Sequence, residues 1–242
     1  MPESTPDHHA VPAPVADTGD ASTPGRTRIL DAAEWLFAER GLAGPSLREI
    51  NEAAGQRNAS GVQYHFGNRS GLLRAIVERH MSVIDLERHA LLDQADPVDD
   101  PPSPEQIRSS MALLVVPLAD RLRTASGRCY LRIVEHLVDE PRASTPAASV
   151  AEFNSSLARA SARLAAPVRA LPPELRDERQ NQTTSFLLRA LADRARTLDD
   201  HLDLRPTIAH DTFVSNLIDV LVAVLTAPPS PATRAAIGPP EH

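Results

Sequence analysis

Arg57, Asn58, Ser60, Gln63, Tyr64 and His65 bring six hydrogen-bonding side chains into one short stretch, broken only by Ala59, Gly61 and Val62. Guanidinium, carboxamide and hydroxyl groups at this density suit the reading of nucleic-acid base edges. Arginine matches the two acceptors of guanine, and asparagine or glutamine matches the acceptor–donor pair of adenine. Arg57, Asn58, Ser60 and Gln63, with Ala59 among them, are the candidates for base edges. Tyr64, His65, Asn68 and Arg69 are the candidates for phosphate contacts. Only Val62 and Phe66 are clearly apolar here, so a helix over this stretch does not exist chiefly to pack. It needs a partner that aims it. Just upstream, Ser46 and Glu49 have the spacing of a capping box, Leu47, Ile50 and Ala54 recur at helical spacing, and Gly55 can supply a left-handed stop. Ser46 to Phe66 therefore reads as two short helices around a tight turn, with Arg48 on the first of them.

Charge agrees locally. The chain carries 25 basic and 32 acidic residues, a net charge of −7, which excludes a general nucleic-acid coat. Yet no acid stands between Glu52 and Glu78, while Arg57, Arg69 and Arg74 do. Catalytic patterns are missing: there is no G-x-S-x-G, no phosphate-cradling glycine loop and no H-E-x-x-H. Cys129 and His136 can share a helical face, but nothing around the thiol activates it, and a packed cysteine is the expectation. A non-enzyme without metal or cofactor is expected; His8 and His9 are read as incidental. A single cysteine rules out an internal disulfide and suits a reducing cytoplasm. No apolar run approaches the about eighteen residues of a membrane span, and the first residues lack the pattern of a signal peptide. The expectation is a cytoplasmic protein with no membrane partner.

Residues 26–81, about a quarter of the 242-residue chain, resemble the DNA-binding domain of TetR-type transcriptional regulators. The matching pieces are ILDAAEWLFAERG for a first helix, SLREINEAAG for a second, and YHF followed by NRSGLL for a third helix and the start of a fourth. One residue more separates Gly55 from Tyr64 than in the commonest family pattern, which rotates the reading face of the third helix. The resemblance implies an all-α fold of about nine helices, a helix-turn-helix head followed by a helical ligand-binding and dimerisation domain. It further implies a homodimer that binds a double-stranded DNA operator and is released by a small effector. Physics agrees on the dimer, because one recognition helix contacts too few base pairs for genomic specificity, whereas two symmetric heads read a palindrome.

The elements divide as follows. Residues 1–23 are polar and rich in proline, and are expected to be disordered. The head occupies 24–70, with Ile29, Ala33, Leu36 and Phe37 as the buried stripe of its first helix. A connecting helix capped by Asn68 and a helical regulatory domain occupy 71–226, and 227–242 form a flexible tail. The last apolar segment, VSNLIDVLVAVL, is too apolar around its circumference to face water, so the final two helices are the candidate subunit interface. Kinks at Pro117 and Pro167 are expected to open space between helices for a hydrophobic or amphipathic effector. Met111, Arg132, Glu135, His136, Phe153 and Asn154 are its candidate lining. The rival reading is an all-helical ligand-binding or scaffold protein whose head no longer reads DNA.

Overall fold

The computed structural model describes residues 24–56, 60–139, 153–200 and 207–237, and every regular element among them is helical. The head comprises α1 (Pro24–Arg40), α2 (Leu47–Ala53) and α3 (Gly61–Phe66). α4 (Arg69–Gln94) leads into α5 (Pro104–Ala119), a 3₁₀ turn (Asp120–Arg123) and α6 (Ala125–Asp139). Then come α7 (Ser156–Ala162), the single turn α8 (Ala165–Val168), α9 (Pro173–Asp199), α10 (His210–Thr226) and α11 (Pro231–Ile237). Eleven α-helices among the described residues replace the nine expected. Between residues 153 and 168 the chain forms two short helices, α7 and α8, rather than one long one. A short α11 stands in the segment read as a tail. The expectation of disorder for residues 1–23 lies outside the described residues.

Local hydrogen bonds start the longer helices. Asn68 Oδ1 accepts from the Gly71 amide at 2.9 Å and caps α4. Ser103 and Gln106 form a reciprocal capping box on α5, with Pro104 in the first turn, where its missing N–H costs nothing. Pro117 lies inside α5, which gives way to the 3₁₀ turn three residues later.

Two large apolar clusters hold the molecule together, beside a small one of Leu92, Leu113 and Ala160. The first joins the stripe Ile29, Ala33, Leu36 and Phe37 to Ile50 and Val62 of the head, to Leu72, Ile76, Val77 and Ile84 of α4, and to Tyr130, Ile133 and Leu137 of α6. The second joins Met111 and Val115 of α5 to Leu131, Leu164, Leu187, Leu191, Leu217, Leu221 and Leu225. α6 belongs to both, so the head is seated on the body through α6. Fully burying one aliphatic side chain contributes about 1.5–3 kcal/mol. The α1–α6 contact is therefore a substantial joint rather than a tether.

Candidate nucleic-acid interface

α2 is fixed at its start by the expected capping box: the Ser46 amide donates to Glu49 Oε2 at 2.7 Å, and the Glu49 amide donates to Ser46 Oγ at 3.2 Å. Gly55 has φ +64°, the left-handed conformation that lets the chain turn after α2. α3 is then pinned by a residue that sequence reading passed over. Asn51 is 2% exposed; its Oδ1 accepts from the Val62 amide at 3.0 Å and its Nδ2 donates to the Leu47 carbonyl at 3.0 Å. One carboxamide thus satisfies an otherwise orphaned amide at the start of α3 and locks it to α2. Gly61 permits the approach, since a Cβ there would lie 2.8 Å from Asn51 Oδ1 and 3.1 Å from Ile29 Cδ1. An Asn five residues after a capping serine, ten before a glycine, was the available signal.

With Val62 and Asn51 turned inward, α3 exposes Gln63 and Tyr64, the tyrosine to 83%. His65 is half-buried and packs edge-on against Tyr64, with ring centroids 4.9 Å apart. Ser60 is exposed at the N-cap of α3 and does not cap it with its side chain. Arg57, Asn58 and Ala59 lie outside the described residues. Arg48 stands on the exposed side of α2, paired with Glu52 at 2.8 Å, with 81% of its side chain in solvent. An exposed pair of this kind contributes little, so Arg48 exchanges Glu52 for another anion at small cost.

Two phosphate candidates are occupied inside the protein. Asn68 uses its side-chain oxygen to cap α4. The Arg69 guanidinium donates to the Leu42 and Pro45 carbonyls and lies over the Phe37 ring, 5.5 Å from the centroid. It clasps the loop between α1 and α2 and does not project into solvent.

Deeper in the body, a cavity of about 330 Å³ opens between α4, α5, α6, α7 and α9. Met111 and Asn154 are among its lining residues. Arg132, Glu135, His136 and Phe153 are not. Arg132 reaches back to α1, donating to the Ala38 carbonyl at 2.8 Å and pairing with Glu39 at 2.7 Å. Glu135 pairs with Arg189 and Arg196 of α9. His136 is exposed, and Phe153 lies beneath the Arg74 guanidinium. α6 has two buried faces, and Arg132 and Glu135 are not on the one that meets the cavity. Tyr130 and Val134 are. Cys129 is packed against the first cluster; burial, then the charges of Glu34 and Asp199, push its thiol up to about 12, so the thiolate is scarce at neutral pH. No helix among the described residues is long and apolar enough to cross a membrane.

Residues 29–76 match the family described as bacterial regulatory proteins, tetR family. The chain is 38% identical over 64 residues to the HTH-type transcriptional repressor KstR2 of Rhodococcus jostii, which covers 26% of this chain and 31% of that protein. It is 36% identical over 58 residues to the HTH-type transcriptional repressor AcnR of Corynebacterium glutamicum, covering 24% and 30%. These matches thus span under a third of the length of either relative. Beyond them the likeness is one of fold. The crystal structure of Mycobacterium smegmatis AmtR aligns with a TM-score of 0.53 at 22% identity, over 94% of this chain and 100% of that one. The fatty acid degradation regulator FadR from Bacillus halodurans gives 0.52 at 13% identity, over 84% and 99%.

Proposed function

We propose that this chain, whose residues 29–76 match the tetR family of bacterial regulatory proteins, is a dimeric, ligand-responsive transcriptional repressor that binds a palindromic operator and is released by a small hydrophobic or amphipathic effector. The observation that carries it is the division of labour on α2 and α3. Asn51 and Val62 are buried to fix the helix pair, while Arg48, Gln63 and Tyr64 are held outward. A face so rigidly aimed, polar and free of acidic residues on α3 suits the major groove, with phosphate contacts setting the register. The two curated relatives are named as repressors, which favours repression over activation.

Dimerisation through α9 and α10 is supported by the apolar surface they leave uncovered in one chain. Phe186 is 45% and Leu198 40% exposed on α9, and Phe213, Val214, Val220, Val222 and Val224 on α10 are only partly buried. Packing such helices against their symmetry mates gives a four-helix interface and sets two heads at a fixed separation. Adjacent major-groove sites lie about 34–36 Å apart, so a ligand that favours another head separation lowers operator affinity by population shift. Selection of bound duplexes from a random pool tests the reading. Two inverted half-sites are the expected result. Recovery of no motif, with binding that disappears as salt rises, overturns it and leaves a helical ligand-binding or scaffold protein.

A further inference from the structure

The cavity is apolar along most of its wall, with Met81, Met111, Leu118, Val134, Leu164 and Leu187 contributing. Its lining nevertheless includes buried polar groups: Thr183, whose hydroxyl donates to the Arg179 carbonyl at 2.7 Å, and two others, Arg88 and Tyr130. Arg88 of α4 is 1% exposed, and its guanidinium meets only neutral acceptors: Nε donates to the Leu113 carbonyl at 3.1 Å, and Nη1 donates to Asn154 Oδ1 and to Ser156 Oγ, the latter at 3.1 Å. No carboxylate lies within ion-pairing distance of it among the described residues. Asp85, the acid whose charge acts on Arg88, is one turn earlier and already accepts from the Ser155 hydroxyl and from the amide and hydroxyl of Ser156. Tyr130 of α6 is fully buried, and its hydroxyl has no hydrogen-bond partner among the described residues. A buried cation without a counter-charge and a buried hydroxyl without a partner are each costly in isolation. Here both border one largely apolar chamber, whose lining also includes the exposed Gln180, Asn181 and Thr184.

We propose that this cavity binds a compact apolar monocarboxylate, with its carboxylate on Arg88 and Tyr130 and its hydrocarbon body against the methionine and leucine wall. The assignment rests on the regulator reading, and narrows its effector from any amphipathic molecule to an organic acid. A carboxylate takes one or more donations from the guanidinium and one from the phenol, satisfying both groups at once. At roughly 30 Å³ for each water-sized group, the volume admits about ten non-hydrogen atoms. That is the size of octanoate or cyclohexylpropionate.

Calorimetric titration of the full-length chain, without DNA, tests the assignment with two acids and their alcohols: octanoate against octanol, and cyclohexylpropionate against cyclohexylpropanol. At least one acid is expected to bind about tenfold or more tightly than its alcohol, the ratio that one charge-assisted buried hydrogen bond supports. Tyr130→Phe, which keeps the ring and removes the unpartnered hydroxyl, should weaken that acid several-fold and leave the alcohol unchanged. Arg88→Gln should abolish the preference; if that variant fails to fold, Tyr130→Phe still decides. Alcohols that equal or exceed their acids overturn the proposal, as does a Tyr130→Phe effect equal on both, or the absence of any binding. Because no DNA is present, such a failure is separate from failure to recover an operator.

Discussion

The phenol ring of Tyr130 lies stacked on the imidazole of His80, with centroids 4.4 Å apart and planes at 16°. The two residues face opposite functions. Tyr130 borders the cavity, while His80 Nε2 lies 3.1 Å from Glu34 Oε1 on α1 of the head. Glu34 Oε2 accepts from Ser126 Oγ at 2.5 Å, so one buried carboxylate gathers α1, α4 and α6. A contiguous run of packed groups therefore joins the chamber to the helix that carries the reading head.

If this joint transmits occupancy, His80→Leu should uncouple the two sites. Effector affinity and operator affinity, each measured alone, are expected to stay within a few-fold of the parent protein. The fall in operator affinity on adding effector should shrink, by fluorescence anisotropy of a labelled duplex. Undiminished coupling would place transmission elsewhere, such as the Arg132 contacts with α1.

Asn51 and Gly61 act as one device. Asn51→Ala removes the acceptor of a buried amide and should cost about 1–3 kcal/mol in denaturant unfolding. Gly61→Ala should also destabilise, because its Cβ would press on Asn51 Oδ1 at 2.8 Å. Both variants should lose operator binding before they lose overall helicity. An unchanged unfolding midpoint in either would contradict the pinning role.

Arg69 and Tyr64 should separate stability from recognition. Arg69→Met removes donations to the Leu42 and Pro45 carbonyls and is expected to cost about 1–3 kcal/mol of stability. The slope of log affinity against log salt should not change. Loss of a true phosphate contact would reduce that slope by about 0.9. Tyr64→Ala, at an exposed position, should leave stability nearly unaltered and weaken operator binding.

Asp85 confers an acid limit. Burial alone would raise its pKa, but donations from the Ser156 hydroxyl and amide and the Ser155 hydroxyl hold it at about 2. The folded value lies below the unfolded one of about 3.9, so the contribution is fully present above that pH. It is lost as pH falls toward about 2. Asp85→Asn should flatten this part of an acid unfolding profile; an unchanged profile would show that the three donors do not act on it.

The head was legible because its determinants are local. The Ser46–Glu49 and Asn68–Gly71 hydrogen bonds span three residues each, and Gly55 turns where the pattern requires a turn. The chamber was not, because its polar groups are joined over long separations: Arg88 meets Asn154 across 66 positions and Ser156 across 68. Helical periodicity marks α6 as buried but does not say which of its two buried faces meets the head. Arg132 and Glu135 were therefore assigned to the cavity when they serve α1 and α9. Arg88, on a helix read only as a connector, had no local signal of burial.

Specific DNA reading by α2 and α3 is tested most directly by comparing affinity for the selected operator with that for a scrambled duplex of equal length, at low and at physiological salt. The predicted result is a preference of about a thousandfold or more at physiological salt, with two chains bound per operator. Binding that is equal on both duplexes, and that collapses on both as salt rises, would contradict it.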